Sequence, residues 1–436
     1  AWTVDVGTLF NASNLLNLAL ALEHPGEPVE AGEPVTAFIP PHCVRITPEH
    51  VPLVNLPQAQ IDRIVASVDG GIANVQDIYP LAPLQEGLLF QHLLQPTDDA
   101  YLLRATLAFD SRERLQGFIA AFDQVIARHD ILRSAVLWEG LDEPVQVVWR
   151  TARLPVVHLA DGETFAERAL DIRRAPLAQA FTRFDAPRQQ WQLQLVHHHL
   201  AIDHATLGLL FAEVRALMLD PDHRLPPSVP FRPFVAQARE PRRQARAEAY
   251  FQRLLGDVDE PTPPYGLHDI QGTGRDNREA QCQLEPALSL RLRRLAKTQG
   301  VGVASLFHLA WAMLVGKTSG RDDVVFGTVL FGRFTGGQQV DRALGMFINT
   351  LPLRIDLDTP LHTALHQIHT RLIELLAHEH APLALAQRCS ALPAQAPLFT
   401  ALLNFRHSQA QHSARPEFNL PGIQVLGSEE RSNYPF

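Results

Sequence analysis

The polar and apolar positions change period several times along the chain, and each change predicts an element. Between Leu56 and Val68, Ile61, Ile64 and Val65 fall at helical spacing, and the Gly70-Gly71 pair predicts the end of that helix. A second helix follows Pro83, which is tolerated at a first helical position; it carries Leu84, Leu88, Leu89 and His92, and Glu86 in its first turn complements the helix dipole. Leu102 to Phe109 reads as a strand. Arg112 to His129 reads as a helix with Leu115, Phe118, Phe122 and Ile126 on one stripe, and Ile131 to Trp138 as another strand. Trp191, Leu193 and Leu195 alternate with Gln192 and Gln194, the period of a half-buried strand. From Thr206 onward the spacing of Leu207, Leu210, Phe211, Val214 and Leu217 is helical.

The second half repeats this grammar. Leu288 to Lys297 predicts a helix, Ala304 to Val315 a helix apolar nearly all round and therefore buried, and Val324 to Phe331 a strand. Strand, helix, strand occurs in both halves, over Leu102 to Trp138 and over Gln281 to Phe331 with an extra helix, which points to two similarly folded lobes. Residues 23–56 are rich in proline and poor in pattern, predicting an extended connector rather than a folded unit.

Composition narrows the class. At 436 residues, with 46% hydrophobic and 19% charged positions, the chain is globular and long enough for two or three packed units. A net charge of -9 argues against nucleic acid as a partner, because phosphate binding wants a basic face. No apolar run approaches the roughly 20 residues that span a bilayer, and the start lacks the basic segment of a signal peptide. Cys43, Cys282 and Cys389 are odd in number and far apart, so no disulfide framework is expected. A soluble, cytoplasmic α/β protein with no membrane contact is the expectation.

The densest chemistry lies where the strand from Trp191 runs into His197, His198 and His199, followed by Asp203 and His204. Imidazoles at a strand-to-helix turn can be aimed by rigid elements on both sides, and histidine can take and return a proton near neutral pH. Asp203 is too close to His199 along the chain to be assumed its relay partner, but it can brace the turn through an arginine. A metal site and a purely structural cluster compete with catalysis here. Neighbouring strand residues point to opposite faces, so the three histidines cannot all reach one ion, and no metal is expected.

His198-His199-Leu200-Ala201-Ile202-Asp203 resembles the His-His-x-x-x-Asp-Gly signature of condensation domains of nonribosomal peptide synthetases, relatives of chloramphenicol acetyltransferase, with His204 in the glycine position. Other stretches resemble that family in the expected order from about residue 74 to 436. Asn74 to Tyr101 is similar to the opening motif of subfamilies that accept a donor with a D-configured last residue, including the dual epimerization/condensation type. Gln91-His92-Leu93, with Asp98-Asp99 further on, partly keeps the second histidine motif of that dual type. Arg128-His129-Asp130-Ile131-Leu132-Arg133, Pro226 to Ala238, Gly345 to Thr350 and Arg431 to Phe436 complete the series.

The resemblance implies two acetyltransferase-like lobes forming a V with a central tunnel. It divides the chain into an upstream linker over 1–73, which faintly resembles the tail of a carrier domain, a first lobe over 74–248, and a second over 249–436 that is expected to be incomplete at its C-terminus. It also implies His199, His198 and Asp203 as the catalytic set, with Arg128 holding Asp203 and Arg133 in support. Gly345 and Asn349 would line the tunnel, Asn349 offering a donor and an acceptor to it, and His92 and Asp99 are candidates for epimerization. His378-Glu379-His380 reads as a solvated helix end. The implied reaction is amide formation between donor peptidyl and acceptor aminoacyl thioesters. The enzyme would have no cofactor of its own: its substrates would ride on the phosphopantetheine of an upstream donor and a downstream acceptor carrier domain, beside an adenylation domain in a larger synthetase making a secondary metabolite. Epimerization of an L-terminated donor, a non-catalytic carrier-recruiting module and an acyltransferase using free coenzyme A are the alternatives.

Overall fold

The computed structural model describes residues 39–96, 98–160, 162–165, 168–333, 340–406 and 420–436. The start of the upstream linker, with its faint resemblance to the tail of a carrier domain, lies outside the described residues. α1 (Gln58–Ser67) precedes β1 (Val75–Pro80), α2 (Pro83–Leu94) and β2 (Leu102–Phe109). α3 (Arg112–Arg128) starts at Ser111, whose hydroxyl accepts from the Arg114 amide at 3.2 Å and so satisfies one of the free donors of the first turn. β3 (Ser134–Leu137), β4 (Val145–Trp149), β5 (Val156–His158), β6 (Ala178–Asp185) and β7 (Gln190–His198) follow, and then α4 (His204–Leu219).

Two sheets result. β1-β4-β3 is antiparallel, and β2, β7, β6 and β5 form the larger sheet. Leu193 and Leu195 of β7 are fully buried, as their alternation with glutamine required. They share a core with Phe118 and Phe122 of α3 and with Phe211 of α4, whose rings meet at 6.0–6.5 Å between centroids. The Ile131 to Trp138 segment is strand only from Ser134, because Ile131–Arg133 closes a 3-10 turn after α3.

The stretch 39–56 is not the loose connector its prolines predict. Ile39, Ile46, Val51, Val54 and Leu56 are buried with Ile61 and Ile64 against Val75, Val145, Val147 and Trp149. A few well-placed apolar side chains suffice to cover an open sheet face, so proline content alone misjudges this segment.

α5 (Arg232–Ala238) and α6 (Pro241–Leu255) lead to the second lobe, with α7 (Pro286–Gln299), α8 (Val303–Ser319), β8 (Asp323–Leu330), β9 (Asn349–Asp356), α9 (Leu361–Leu376), α10 (Leu383–Arg388) and β10 (Leu402–Leu403). β8 lies between β10 and β9. The strand expected at the start of this lobe, near Gln281, is irregular backbone. α8 is only half buried: Ala312, Val315 and Gly316 are inside, while Met313 and Leu314 face out. Among the described residues no single helix is long and apolar enough to cross a membrane.

β11 (Ile423–Glu429) leaves the second lobe and pairs antiparallel with β2, so the larger sheet of the first lobe reads β11-β2-β7-β6-β5. A division at residue 249 therefore misses one strand exchange. The two lobes share a sheet, in which β2 alone separates β11 from the strand that carries the histidines.

Candidate functional site

β2 and β7 run antiparallel with Leu102 opposite His198, and the His199 amide donates to the Tyr101 carbonyl at 3.0 Å. That last ladder bond fixes His199 at the point where β7 turns towards α4. Gln85 of α2 secures the turn from the other side: its Oε1 accepts from the Ala82 amide at 2.7 Å, and its Nε2 donates to the Leu200 carbonyl at 2.6 Å. The opening motif thus serves the histidine turn directly.

His198 is fully buried and its tautomer follows from the backbone. Nδ1 accepts from the Leu200 amide at 3.0 Å, so the proton sits on Nε2 and is donated to Asp99 Oδ2 at 2.8 Å. The same oxygen is 2.7 Å from His92 Nδ1, while Oδ1 accepts from the Tyr101 amide at 2.8 Å. Burial works to raise the Asp99 pKa, but the hydrogen bonds from His198 and His92 outweigh it and hold the carboxyl well below the usual range. Burial lowers the His198 pKa, so the ring is neutral at working pH. His92, Asp99 and His198 have ligand types that could surround a metal ion. The two short contacts to one carboxylate oxygen are hydrogen-bond geometry, and an ion would have to displace both of those protons.

His199 is 9% exposed, and its Nδ1 is sealed from solvent with no hydrogen bond. The Tyr101 ring stands edge-on to it at 6.2 Å between centroids. Burial pushes the His199 pKa down, against the pull of the Glu430 and Asp203 carboxylates and the Ile202 backbone; the neighbouring His198 lowers it further. The neutral imidazole is therefore the resting form, ready to accept a proton.

Asp203 caps α4, with Oδ1 accepting from the Thr206 amide at 2.7 Å and Oδ2 from the Phe347 amide at 3.1 Å. Its arginine is Arg333, whose Nη2 lies 3.5 Å from Oδ1 and 3.1 Å from Thr206 Oγ1. Arg128 does not reach it. The Arg128 Nε bonds Glu213 Oε2 at 3.2 Å and its Nη2 bonds the Pro226 carbonyl at 2.7 Å. Glu213 is ten residues into α4 from Asp203, about 15 Å along the axis, so one side chain cannot serve both. Arg133 is likewise distant in role: it bonds Gln76 Oε1 at 2.8 Å and the Trp149 carbonyl, fastening β1 to β4.

Gly345 sits against α4, its amide donating to Thr206 Oγ1 at 3.0 Å and its carbonyl accepting from that hydroxyl at 2.7 Å. A Cβ there would lie 2.3 Å from the Phe231 ring, which is why the position is glycine. Asn349 does not offer its amide to a cleft. Nδ2 donates to the Glu379 and Ala381 carbonyls at 2.9 and 2.7 Å, and Oδ1 accepts from the Thr350 amide at 3.0 Å, so the residue staples β9 to the segment after α9. That segment is not solvated either. Glu379 and His380 are buried, and burial lowers the His380 pKa to about 3.

One participant, Arg333, and the partners of two others escaped the sequence reading. Arg333 carried a weak signal, being with Arg342 one of two arginines between β8 and the Gly345 motif. Asp99's contact with His198, 99 residues away, carried none. Asp98, beside it, pairs with Arg431 at 3.4 Å and so ties the loop to the last motif.

The family description "Condensation domain" matches residues 75–436. The chain is 41% identical over its whole length to a segment of malpinin synthetase and 40% identical to one of malpibaldin synthetase, both from Mortierella alpina; it spans only 6% and 8% of those proteins. Among solved structures it resembles the condensation domain from Monacolin K polyketide synthase MokA, with a TM-score of 0.64 at 19% identity, covering 83% of this chain and 88% of that one. It also resembles a four-domain nonribosomal peptide synthetase bound to AMP and glycine, with a TM-score of 0.64 at 17% identity, covering 77% of this chain and 27% of that one. The fold is the mixed α/β, two-lobed type of chloramphenicol acetyltransferase, and the chain belongs to the condensation-domain family.

Proposed function

We propose that this chain joins a donor peptidyl thioester to the amine of an acceptor aminoacyl thioester, both carried on phosphopantetheine arms of neighbouring carrier domains in a cytoplasmic synthetase that also holds an adenylation domain. The observation that carries the reading is His199: a neutral imidazole fixed by the last bond of a strand, with one nitrogen sealed in the protein. In the reaction the acceptor nitrogen attacks the donor carbonyl, the carbon–sulfur bond breaks, and the donor arm leaves as a thiol. The ammonium enters with two protons that the amide does not keep; one ends on the departing sulfur and the other is released. His199 takes the ammonium proton or steadies the tetrahedral species. A free α-amine has a pKa of about 7.7 to 8, so much of the acceleration comes from holding the two groups in line rather than from strong base.

The donor is D-configured at its last residue, a reading supported by the opening motif from Asn74 to Tyr101. A second reading, epimerization of an L-terminated donor before coupling, is favoured by one observation: Asp99 joins His92 to His198, the neighbour of the catalytic ring. The test loads the upstream carrier with L- or D-terminated donor and analyses product chirality. Product from D-donor alone supports a D-specific condensation, D-product from L-donor supports the dual role, L-product from L-donor overturns both the D-preference and the epimerization, and no product from either donor overturns condensation itself.

A further inference from the structure

Glu430 follows β11 directly. Glu429 is in register with Arg104 of β2, so the next step places Glu430 beside Leu103, which pairs with His197. His197 and His199 project from one face of that sheet, and Glu430 falls on the same face. Arg406, three residues past β10 of the second lobe, donates from Nη2 to Glu430 Oε1 at 3.2 Å. With the Asn404 amide turned so that its oxygen faces the guanidinium, Asn404 accepts from Nη2 and Nε at 3.0 and 3.1 Å. The ion pair bridges the lobes at the sheet end where the histidine turn begins. It is open to solvent, with Arg406 44% and Glu430 46% exposed.

A half-exposed ion pair is ordinarily a weak surface contact. This one differs in what lies on its other side. The Glu430 carboxylate acts on two imidazoles, His199 and His204, and the charge of Arg406 keeps it ionised. His204 is the residue that stands in the glycine position of the signature; it is exposed at the first turn of α4. Oε1 is tied to Arg406, and Oε2 has no hydrogen bond among the described residues. An anchored carboxylate with one oxygen unused, beside the proton acceptor, suits a cationic group. In the reaction proposed above only the acceptor amine brings a cation, since both thioesters and the peptidyl chain ends near them are neutral.

We propose that Glu430 is the positioning residue that receives the α-ammonium of the acceptor aminoacyl group and delivers it to His199. The inference rests on the condensation reading. Binding of an aminoacyl-pantetheine and of its des-amino analogue to the protein is measured by calorimetry, alongside coupling to a carrier-bound donor as a function of acceptor concentration and pH. Wild type is expected to bind the amine-bearing compound about tenfold or more tighter than the analogue, as charge-assisted hydrogen bonds allow. Glu430→Gln is expected to bind both alike and to need correspondingly more acceptor for half-maximal coupling, and Glu430→Asp to recover part of the preference. The acid limb of the rate should also move to lower pH in Glu430→Gln. Among the described residues His199 then keeps the pull of the Asp203 carboxylate, with His198 opposing protonation from the same strand. Unchanged discrimination in Glu430→Gln, with wild type coupling normally, overturns the role of Glu430 alone. Absence of coupling in wild type with D- and L-donors overturns the condensation reading on which it rests.

Discussion

Arg333 Nη2 lies 3.5 Å from Asp203 Oδ1, both side chains are closed to solvent, and the two residues come from different lobes. The same guanidinium bonds the Ala343 carbonyl at 2.6 Å and stands 4.0 Å over the Phe347 ring. Asp203 in turn holds the first turn of α4 and the Phe347 amide. The histidine turn is therefore clamped by the second lobe, and the lobes cannot separate here without exposing a buried charge.

Removing one member of this pair leaves the other unpaired inside. Arg333→Ala is expected to cost about 3 kcal/mol of unfolding free energy. Arg128→Ala, whose partner Glu213 is also held by His129 at 2.9 Å, is expected to cost less than about 1 kcal/mol. Urea denaturation of the two variants checks the ranking, and equal losses would contradict the placement of Asp203.

Asp99→Asn replaces a carboxylate that accepts from the His92 and His198 rings on Oδ2 and from the Tyr101 amide on Oδ1 with an amide whose single oxygen can face only one of these two sides. A loss of about 1–3 kcal/mol is expected from the unsatisfied buried donor. The His198 Nε2 proton, which Asp99 accepts at 2.8 Å, should exchange faster in the variant than in wild type. Nitrogen-resolved NMR of the histidines reads this directly.

Gly345→Ala pushes a methyl to within 2.3 Å of the Phe231 ring, in the core that holds Thr206 and Asp203. A cost of about 1–3 kcal/mol is expected from overpacking. The melting temperature should fall, and coupling should fall with it at temperatures where the protein remains folded.

Much of this arrangement was legible in the sequence, and the parts that were not share a cause. The period-two run from Trp191 and the helical spacing after Thr206 fixed β7 and α4, because both elements bury one face and the pattern records it. The family motifs named His199 and Asp203 correctly as neighbours on one turn. What the chain could not disclose was pairing over long separation. Asp203 chose Arg333 over Arg128, Asp99 found His198, and β11 crossed back to β2, and none of these choices leaves a local period. Asn349 and Glu379 were misread for a related reason: a polar residue looks solvent-facing until the backbone carbonyls around it are known.

The pH dependence of coupling follows from two groups. Burial holds His199 below its ordinary value near 6.5, so its neutral form persists below that pH and is lost only as the pH falls through the lowered value. The acceptor amine titrates at about 7.7 to 8, so the rate should rise through that range and level off above it. A rate that falls away already near pH 7 on the acid side, with the amine contribution removed by normalising to free amine, would contradict a buried neutral imidazole.

The most direct measurement is single-turnover coupling of a carrier-bound D-terminated donor with a carrier-bound acceptor, followed by mass spectrometry, for wild type and His199→Ala. The account predicts amide product from wild type and a large but incomplete loss of rate in the variant, with the residual coming from alignment of the two thioesters. Coupling at the wild-type rate without His199 would contradict it.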